Sequence, residues 1–147
     1  MTSLATSVQV CEDCGTELDE LNPAGACPSC GGLLELRHTL IGEGPALRAR
    51  FAGRRSALRG PDASGVWRYR EMVLPSARLD PIVTHPEGNT PLLDSRAVAR
   101  WVGFDSDRLL IKHEGHNPTG SFKDRGMTVA ITQAKRSSAR IPPASLT

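Results

Sequence analysis

Asn117-Pro118-Thr119-Gly120-Ser121-Phe122-Lys123-Asp124-Arg125-Gly126 is the stretch around which the other elements of this 147-residue chain fall into order. Pro118 fixes φ and Gly120 opens conformations closed to other residues, so the segment begins as a turn. Ser121 then reads as a helix N-cap, with Asp124 three residues on closing a capping box. Met127, Ala130, Ile131 and Ala134 follow at the spacing of a buried helix face. Ahead of the turn, Leu109-Leu110-Ile111 suits a short buried strand. The order strand, turn, helix places Lys123 in the helix's first turn, where the dipole opposes positive charge. An amine kept neutral there can attack a carbonyl and form a Schiff base. A surface lysine beside an ordinary cap fits the same spacing.

The four cysteines form two pairs, Cys11-x2-Cys14 and Cys27-x2-Cys30, separated by twelve residues. Two thiolates with two residues between them can turn back on one ion, and two such knuckles complete a tetrahedral four-sulfur site. Gly15 and Gly31-Gly32 give the backbone freedom where it curls. Two disulfides or an accidental arrangement of thiols are the alternatives. Residues 1–10 lack the basic and apolar regions of a secretory signal, which disfavours disulfides. Zinc is therefore expected at Cys11, Cys14, Cys27 and Cys30, in a structural role, since a closed four-thiolate shell leaves no position for substrate.

Between Pro45 and Gly60, Leu47, Phe51 and Leu58 could share a helix face, crowded by Arg48, Arg50, Arg54, Arg55 and Arg59. A ribbon with a basic helix is a nucleic-acid-binding arrangement. Aromatic residues make up only 4% of the chain and the net charge is +2, so a solvated or intramolecular arginine face is expected instead. A Gly/Pro/Asp/Ser break at 60–65 leads to Trp67, Tyr69, Met72, Val73 and Leu74, large side chains suited to anchoring the segment on a neighbouring surface. Ile82-Val83 reads as a short strand and Ala97–Val102 as a short helix. No stretch approaches the roughly 20 apolar residues of a membrane span, and a cytoplasmic location is expected.

Two motifs carry a family resemblance. His113 to Met127, with Asn-Pro-Thr-Gly-Ser-Phe-Lys-Asp-Arg-Gly-Met at its centre, resembles the cofactor-lysine segment of threonine synthases. Glu87-Gly88-Asn89-Thr90-Pro91-Leu92 resembles a loop upstream of that lysine in the same family, and Trp67-Arg68-Tyr69-Arg70-Glu71 its connecting arm. The resemblance implies an α/β protein: an N-terminal zinc ribbon followed by the start of a fold-type-II pyridoxal-phosphate (PLP) enzyme domain, incomplete at the C-terminus. The expected division is a zinc-ribbon-like module at 1–40, a linker and anchoring arm at 41–80, and the first part of the catalytic domain at 81–147.

What the resemblance implies for chemistry is conversion of O-phospho-L-homoserine and water to L-threonine and phosphate. Lys123 would hold the cofactor and move protons, Phe122 and Ser121 would border it, and Asn89 and Thr90 would shape the substrate wall. Asp124, Arg125, His113, Glu114 and His116 are expected to cap, pair or pack. The prolines at 142 and 143 fit poorly in a buried strand. The family's later substrate and phosphate loops have no counterpart in the sequence, so the chain alone is expected to be inactive. Another PLP enzyme of the same fold, a dehydratase or cysteate-synthase-like protein, is the alternative within the class. The alternative outside it is a non-catalytic zinc-ribbon module that binds nucleic acid.

Overall fold

The computed structural model describes residues 6–39, 42, 44–104 and 109–137. The expected boundary at 40/41 and the Arg140–Thr147 stretch lie outside the described residues. The first unit is an antiparallel sheet in the order β2-β1-β3, made of β1 (Thr6–Cys11), β2 (Glu17–Asp19) and β3 (Leu34–Thr39). Its register pairs Cys11 with Leu34, Gln9 with Leu36 and Ser7 with His38, so alternate residues of β1 and β3 share a face. At the far end of that pairing, the Thr6 hydroxyl donates to the Thr39 hydroxyl at 3.1 Å.

The two cysteine knuckles are built alike. Gly15 N–H donates to Cys11 C=O and Gly31 N–H to Cys27 C=O; Cys11 N–H donates to Thr16 C=O and Cys27 N–H to Gly32 C=O. Gly15 and Gly31 both hold positive φ, 72° and 78°, which is the conformation that closes each turn and that a side chain would oppose.

Helix α1 (Gly44–Arg54) follows. Leu47 is its buried residue, and the Phe51 ring meets Tyr69 edge-on at 5.0 Å. Leu58 falls beyond the helix and is 93% exposed, so the apolar face is a turn shorter than the sequence spacing suggests. Arg54, on the face of Leu47 and Phe51, chelates Glu71 with Nη1 and Nη2 at 2.7 and 2.5 Å. Arg50 adds a bond to Glu71 at 3.2 Å. Two of the five crowded arginines therefore face their own protein, as expected. Burial pushes the Glu71 carboxyl up, but the Arg54 guanidinium overcomes this and brings it down to about 2.

The arm continues through two 3-10 turns, Pro61–Ala63 and Trp67–Tyr69, into the single turn of α2 (Arg70–Val73). Trp67 and Leu74 are completely buried, so the large side chains of this segment do anchor it. Beyond lie a two-stranded antiparallel sheet of β4 (Leu92–Asp94) and β5 (Leu110–Lys112), the short helix α3 (Arg96–Trp101), and α4 (Lys123–Arg136).

Three expectations need correcting. A strand does form at the Leu109-Leu110-Ile111 run, shifted by one residue to Leu110–Lys112, but Leu110 and Ile111 are exposed, because β5 pairs only with β4 among the described residues. Ile82-Val83 is not a strand. The Val83 N–H donates to the Thr132 hydroxyl at 2.9 Å, and its C=O accepts from the Thr128 hydroxyl at 2.6 Å, so two threonines one helical turn apart replace a ladder. In consequence the buried face of α4 is Thr128 and Thr132, while Met127 and Ala130 are exposed. Trp67 Nε1–H donates to the same Thr128 hydroxyl at 2.7 Å, which fastens the arm to α4.

Candidate functional site

The turn before α4 is assembled from the loop resembling the upstream motif and the loop bearing Lys123. Gly120 N–H closes the turn on Asn117 C=O at 2.8 Å, with Gly120 at φ 75°. Asn117 is buried; its Oδ1 accepts from Gly88 N–H at 2.9 Å and its Nδ2 donates to Glu114. Arg125 grips Glu114 through Nε (2.8 Å) and Nη2 (2.9 Å), and the Thr90 hydroxyl bridges the pair, donating to Glu114 at 2.7 Å and accepting from Arg125 at 3.0 Å. Lys112 Nζ donates to Thr90 C=O at 2.7 Å. The Arg125 guanidinium, with help from Thr90, holds the Glu114 carboxyl down at about 2.

The capping box does not form. Ser121 Oγ accepts from Lys123 N–H at 3.2 Å, and Phe122, in helical conformation, is the boundary residue. Asp124 turns away from Ser121 and accepts from the Thr119 N–H at 2.9 Å and the Thr119 hydroxyl at 2.5 Å. Those bonds lower its pKa below the ordinary carboxylate range. The reason is the tight turn: it brings the Thr119 donors within reach of Asp124, and a hydroxyl and an N–H from one residue make a better pair than a single amide.

Lys123, the first residue of α4, borders an open cavity of about 610 Å³. Ser121, Thr119, Asp124, His85 and Glu87 contribute polar groups to its wall, and Val83, Met127 and Ile131 apolar ones. The volume lies within the roughly 300–1,000 Å³ of small-molecule sites. Glu87 is buried and satisfied by the Ser64 hydroxyl, the Thr84 hydroxyl (3.0 Å) and the His85 N–H (2.9 Å). Of the residues expected at the site, Ser121 and Lys123 share this wall. Phe122 is 63% exposed and Asn89 and Thr90 are not among the lining residues: Asn89 Nδ2 donates to Ala63 C=O, and Thr90 serves the Glu114–Arg125 pair. The sequence reading missed Glu87 as a wall residue. Its only signal was a carboxylate beside Gly88 inside the matched loop.

The wall suits an aldehyde cofactor at one end. A primary amine, with a hydroxyl at Ser121, is what an aromatic aldehyde needs for covalent attachment and orientation. No arginine is among the described lining residues, so a phosphate group has no cluster of cations there.

At the other end of the chain, the Cys11, Cys14, Cys27 and Cys30 sulfurs all lie within 4.8 Å of one another, with Cys11–Cys30 at 3.4 Å and Cys14–Cys27 at 3.6 Å. A tetrahedral ion with Zn–S near 2.3 Å requires S···S separations of about 3.8 Å. Burial pushes the Cys27 thiol up, but backbone N–H groups of Ser29 and Cys30 bring it down to about 6. Cys30 moves oppositely: the Gly32 N–H favours its thiolate, yet the adjacent Cys14 and Cys11 sulfurs push it up to about 12. Four sulfurs this close ionise together only around a cation. A Cβ at Gly32 would sit 3.1 Å from Cys11 Sγ and would displace the exposed Asp13 carboxylate, so the second knuckle passes close to the sulfurs. The donor set and its spacing fit zinc.

Comparison with known proteins agrees with both motifs. Residues 83–144 match the family described as pyridoxal-phosphate dependent enzyme. The chain is 37% identical to threonine synthase of Methanosarcina acetivorans over 124 residues, 84% of this chain and 27% of the relative. It is 39% identical to that of Methanocaldococcus jannaschii over 127 residues, 86% of this chain and 29% of the relative. Against that of Synechocystis sp. it is 52% identical over 67 residues, 46% of this chain and 17% of the relative. The chain thus spans under a third of the length of these relatives. Over most of its length it is similar to threonine synthases, and residues 83–144 carry the sequence pattern of the pyridoxal-phosphate dependent enzymes.

Proposed function

We propose that this chain supplies the lysine-bearing part of a threonine synthase-type lyase acting on O-phospho-L-homoserine. The observation that carries the reading is the junction of the two matched loops: Thr90 from one, Glu114 and Arg125 from the other, bonded so that Lys123 opens the adjacent cavity. When bound, pyridoxal phosphate would supply an electron sink that stabilises negative charge at the substrate's Cα. The Lys123 amine would hold the cofactor's aldehyde carbon covalently until displaced by the substrate amine. It would then take one proton from Cα and one from Cβ, deliver one to Cγ, which becomes the methyl carbon once the γ-phosphate has left, and return one to Cα after water adds at Cβ. Ser121 would orient the group beside Lys123, and Asn89 and Thr90 would support the wall from behind. Phe122, exposed at the helix start, would pack on the cofactor.

In the same reading, residues 1–40 form a zinc-ribbon-like module, 41–80 a linker and anchoring arm, and 81–147 the first part of the catalytic domain. A structural zinc would be held by Cys11, Cys14, Cys27 and Cys30. No helix among the described residues is long and apolar enough to cross a membrane.

The test joins this chain to the remaining portion of the Methanocaldococcus jannaschii relative. The chimera should release phosphate from O-phospho-L-homoserine, and Lys123→Ala should abolish release. Lys123→Arg should fail too, because a guanidinium keeps its charge and does not attack an aldehyde. A chimera that is labelled at Lys123 after borohydride trapping, yet turns over serine or threonine and not O-phospho-L-homoserine, would favour a dehydratase. The 147-residue chain alone should be labelled weakly, with label shared among Lys112, Lys123 and Lys135, and should release no phosphate.

A further inference from the structure

Glu20 is a charged residue buried in a place the site chemistry does not use. It follows β2 in the segment between the two cysteine knuckles, and it is 8% exposed. Its carboxylate accepts from the Ser76 hydroxyl at 2.6 Å and forms an ion pair with Arg136 Nη1. Its backbone C=O accepts from Gln133 Nε2 at 2.7 Å and from Gln9 Nε2 at 3.2 Å. Arg136 is as confined as its partner: its side chain is 13% exposed, and it also donates to Ser76 Oγ at 3.2 Å and Gln133 Oε1 at 2.8 Å. One side chain between the knuckles is thus tied to the arm through Ser76 and to the last turn of α4 through Gln133 and Arg136.

Within its own module the Glu20 segment is held by β1 alone: β2 pairs with it, and Gln9 Nε2 donates to the C=O groups of Asp19, Glu20 and Asn22 at 3.1, 3.2 and 2.8 Å. Leu18 and Leu21 are the large apolar side chains of residues 15–26, too few to build a core, and β2 is three residues long. What fixes the ends of this segment is the closing of Cys11–Cys14 at one side and Cys27–Cys30 at the other around a common centre. An ion that gathers the four sulfurs therefore also presents Glu20 to Arg136. Without it, the loop keeps the Arg136 charge satisfied only by ordering twelve residues that have no core of their own.

We propose that Glu20 and Arg136 couple metal occupancy of the four-thiolate cluster to the placement of α4, the helix whose first residue is Lys123. Coupling of this kind is reciprocal: if the ion steadies α4, then α4's grip on Glu20 must tighten the ion by the same factor. Arg136 is a positioning residue in this scheme, acting on the cluster from a helix that contributes no ligand. The inference concerns the chain's own metal and helix, and it stands whether or not the lyase reading does.

The full 147-residue chain allows the test. Zinc affinity is measured by competition with a chromogenic chelator for the wild-type chain, Arg136→Ala and Glu20→Gln, and amide hydrogen exchange is followed across 123–136 with and without zinc. Arg136→Ala should bind zinc about ten-fold more weakly, inside the roughly 5–150-fold span of inter-site coupling. Glu20→Gln keeps the shape but loses the ion pair, and should fall in between. Zinc removal should speed exchange in the last turn of α4 in the wild type and add little in Arg136→Ala. Arg37→Ala, which breaks an exposed ion pair to Glu35 within β3, should leave the affinity unchanged. Equal zinc affinity in the wild type and both coupling variants, or α4 exchange indifferent to zinc in the wild type, overturns the proposal.

Discussion

Gly65→Ala is the sharpest test of how the arm meets the upstream loop. A Cβ built on Gly65 would lie 2.0 Å from Asn89 N, 2.6 Å from Gly88 C and 2.7 Å from Gly88 Cα. All three are backbone atoms, so no rotamer can swing aside. To restore ordinary carbon contacts of about 3.5 Å, the segments would have to part by roughly 1.5 Å. That separation would break the Gly65 N–H to Glu87 C=O bond (2.8 Å) and the Asn89 Nδ2 to Ala63 C=O bond (2.8 Å). Overpacking costs about 1–3 kcal/mol, and each lost hydrogen bond about 1 kcal/mol net. A loss of about 3–5 kcal/mol follows, a large part of the roughly 5–15 kcal/mol that a domain of this kind has in total. With a urea slope of about 2 kcal/mol/M, the midpoint should fall by roughly 2 M. Emission of buried Trp67 reports the transition, in a Trp101→Phe background because Trp101 is 86% exposed. Gly25→Ala is the control, since nothing lies within 4 Å of its added Cβ. If Gly65→Ala unfolds at the same urea concentration as Gly25→Ala, the close crossing of arm and loop is wrong.

Other outcomes can be checked independently. Native mass spectrometry under reducing conditions should find one zinc per chain, lost in Cys27→Ser, and chelation should unfold the ribbon before the rest; four freely reactive thiols in zinc-replete protein would contradict this. The Glu114–Arg125 pair should carry a pH signature. The Arg125 guanidinium brings Glu114 from its ordinary value of 4.5 down to about 2, so the pair's stabilisation is fully present above about 4.5 and is lost as pH falls towards about 2. Hydrogen exchange in the 113–121 turn should accelerate across that window in the wild type and lose the pH step in Glu114→Gln. Because Arg54 and Arg50 are committed to Glu71, binding of DNA or RNA should be weak, without sequence preference, and gone by about 0.2 M salt. A sequence-selective affinity surviving that salt would revive the nucleic-acid reading.

The parts of this molecule legible in its sequence are those set by neighbours along the chain. The two knuckles are specified within five residues each, by a cysteine pair and a glycine at positive φ, and the two repeat the same backbone bonds. The Asn-Pro-Thr-Gly turn and the start of α4 are local in the same sense. What escaped the reading is what distant residues decide. Apolar spacing put Met127 and Ala130 inside, but Thr128 and Thr132 are buried because Val83, some 45 residues earlier, needs a donor and an acceptor for its backbone and Trp67 needs an acceptor for its indole. A helix face chosen by hydrogen bonds leaves no hydrophobic period to find. The capping box failed for a related reason: Thr119 offered Asp124 two donors, which sequence spacing alone cannot rank against one.

The motif residues explain one another once their bonds are followed. Thr90 and Arg125 stand 35 residues apart and meet on Glu114, whose neighbour in that network, Asn117, also receives the Gly88 N–H. Thr90 must be a hydroxyl, because it donates to the carboxylate while accepting from the guanidinium; valine, of the same shape, could do neither. Arg125 must be a guanidinium, because its Nε and Nη2 engage both Glu114 oxygens at once, a fork that a lysine's single ammonium does not reproduce. Gly88 must lack a side chain, because a Cβ there would lie 2.8 Å from Gly65 Cα and 2.9 Å from Arg125 Nη1. Gly88, Thr90, Glu114, Asn117 and Arg125 therefore build a scaffold that joins the two loops. That scaffold requires both loops together, and it fixes the first turn of α4 where the lysine stands.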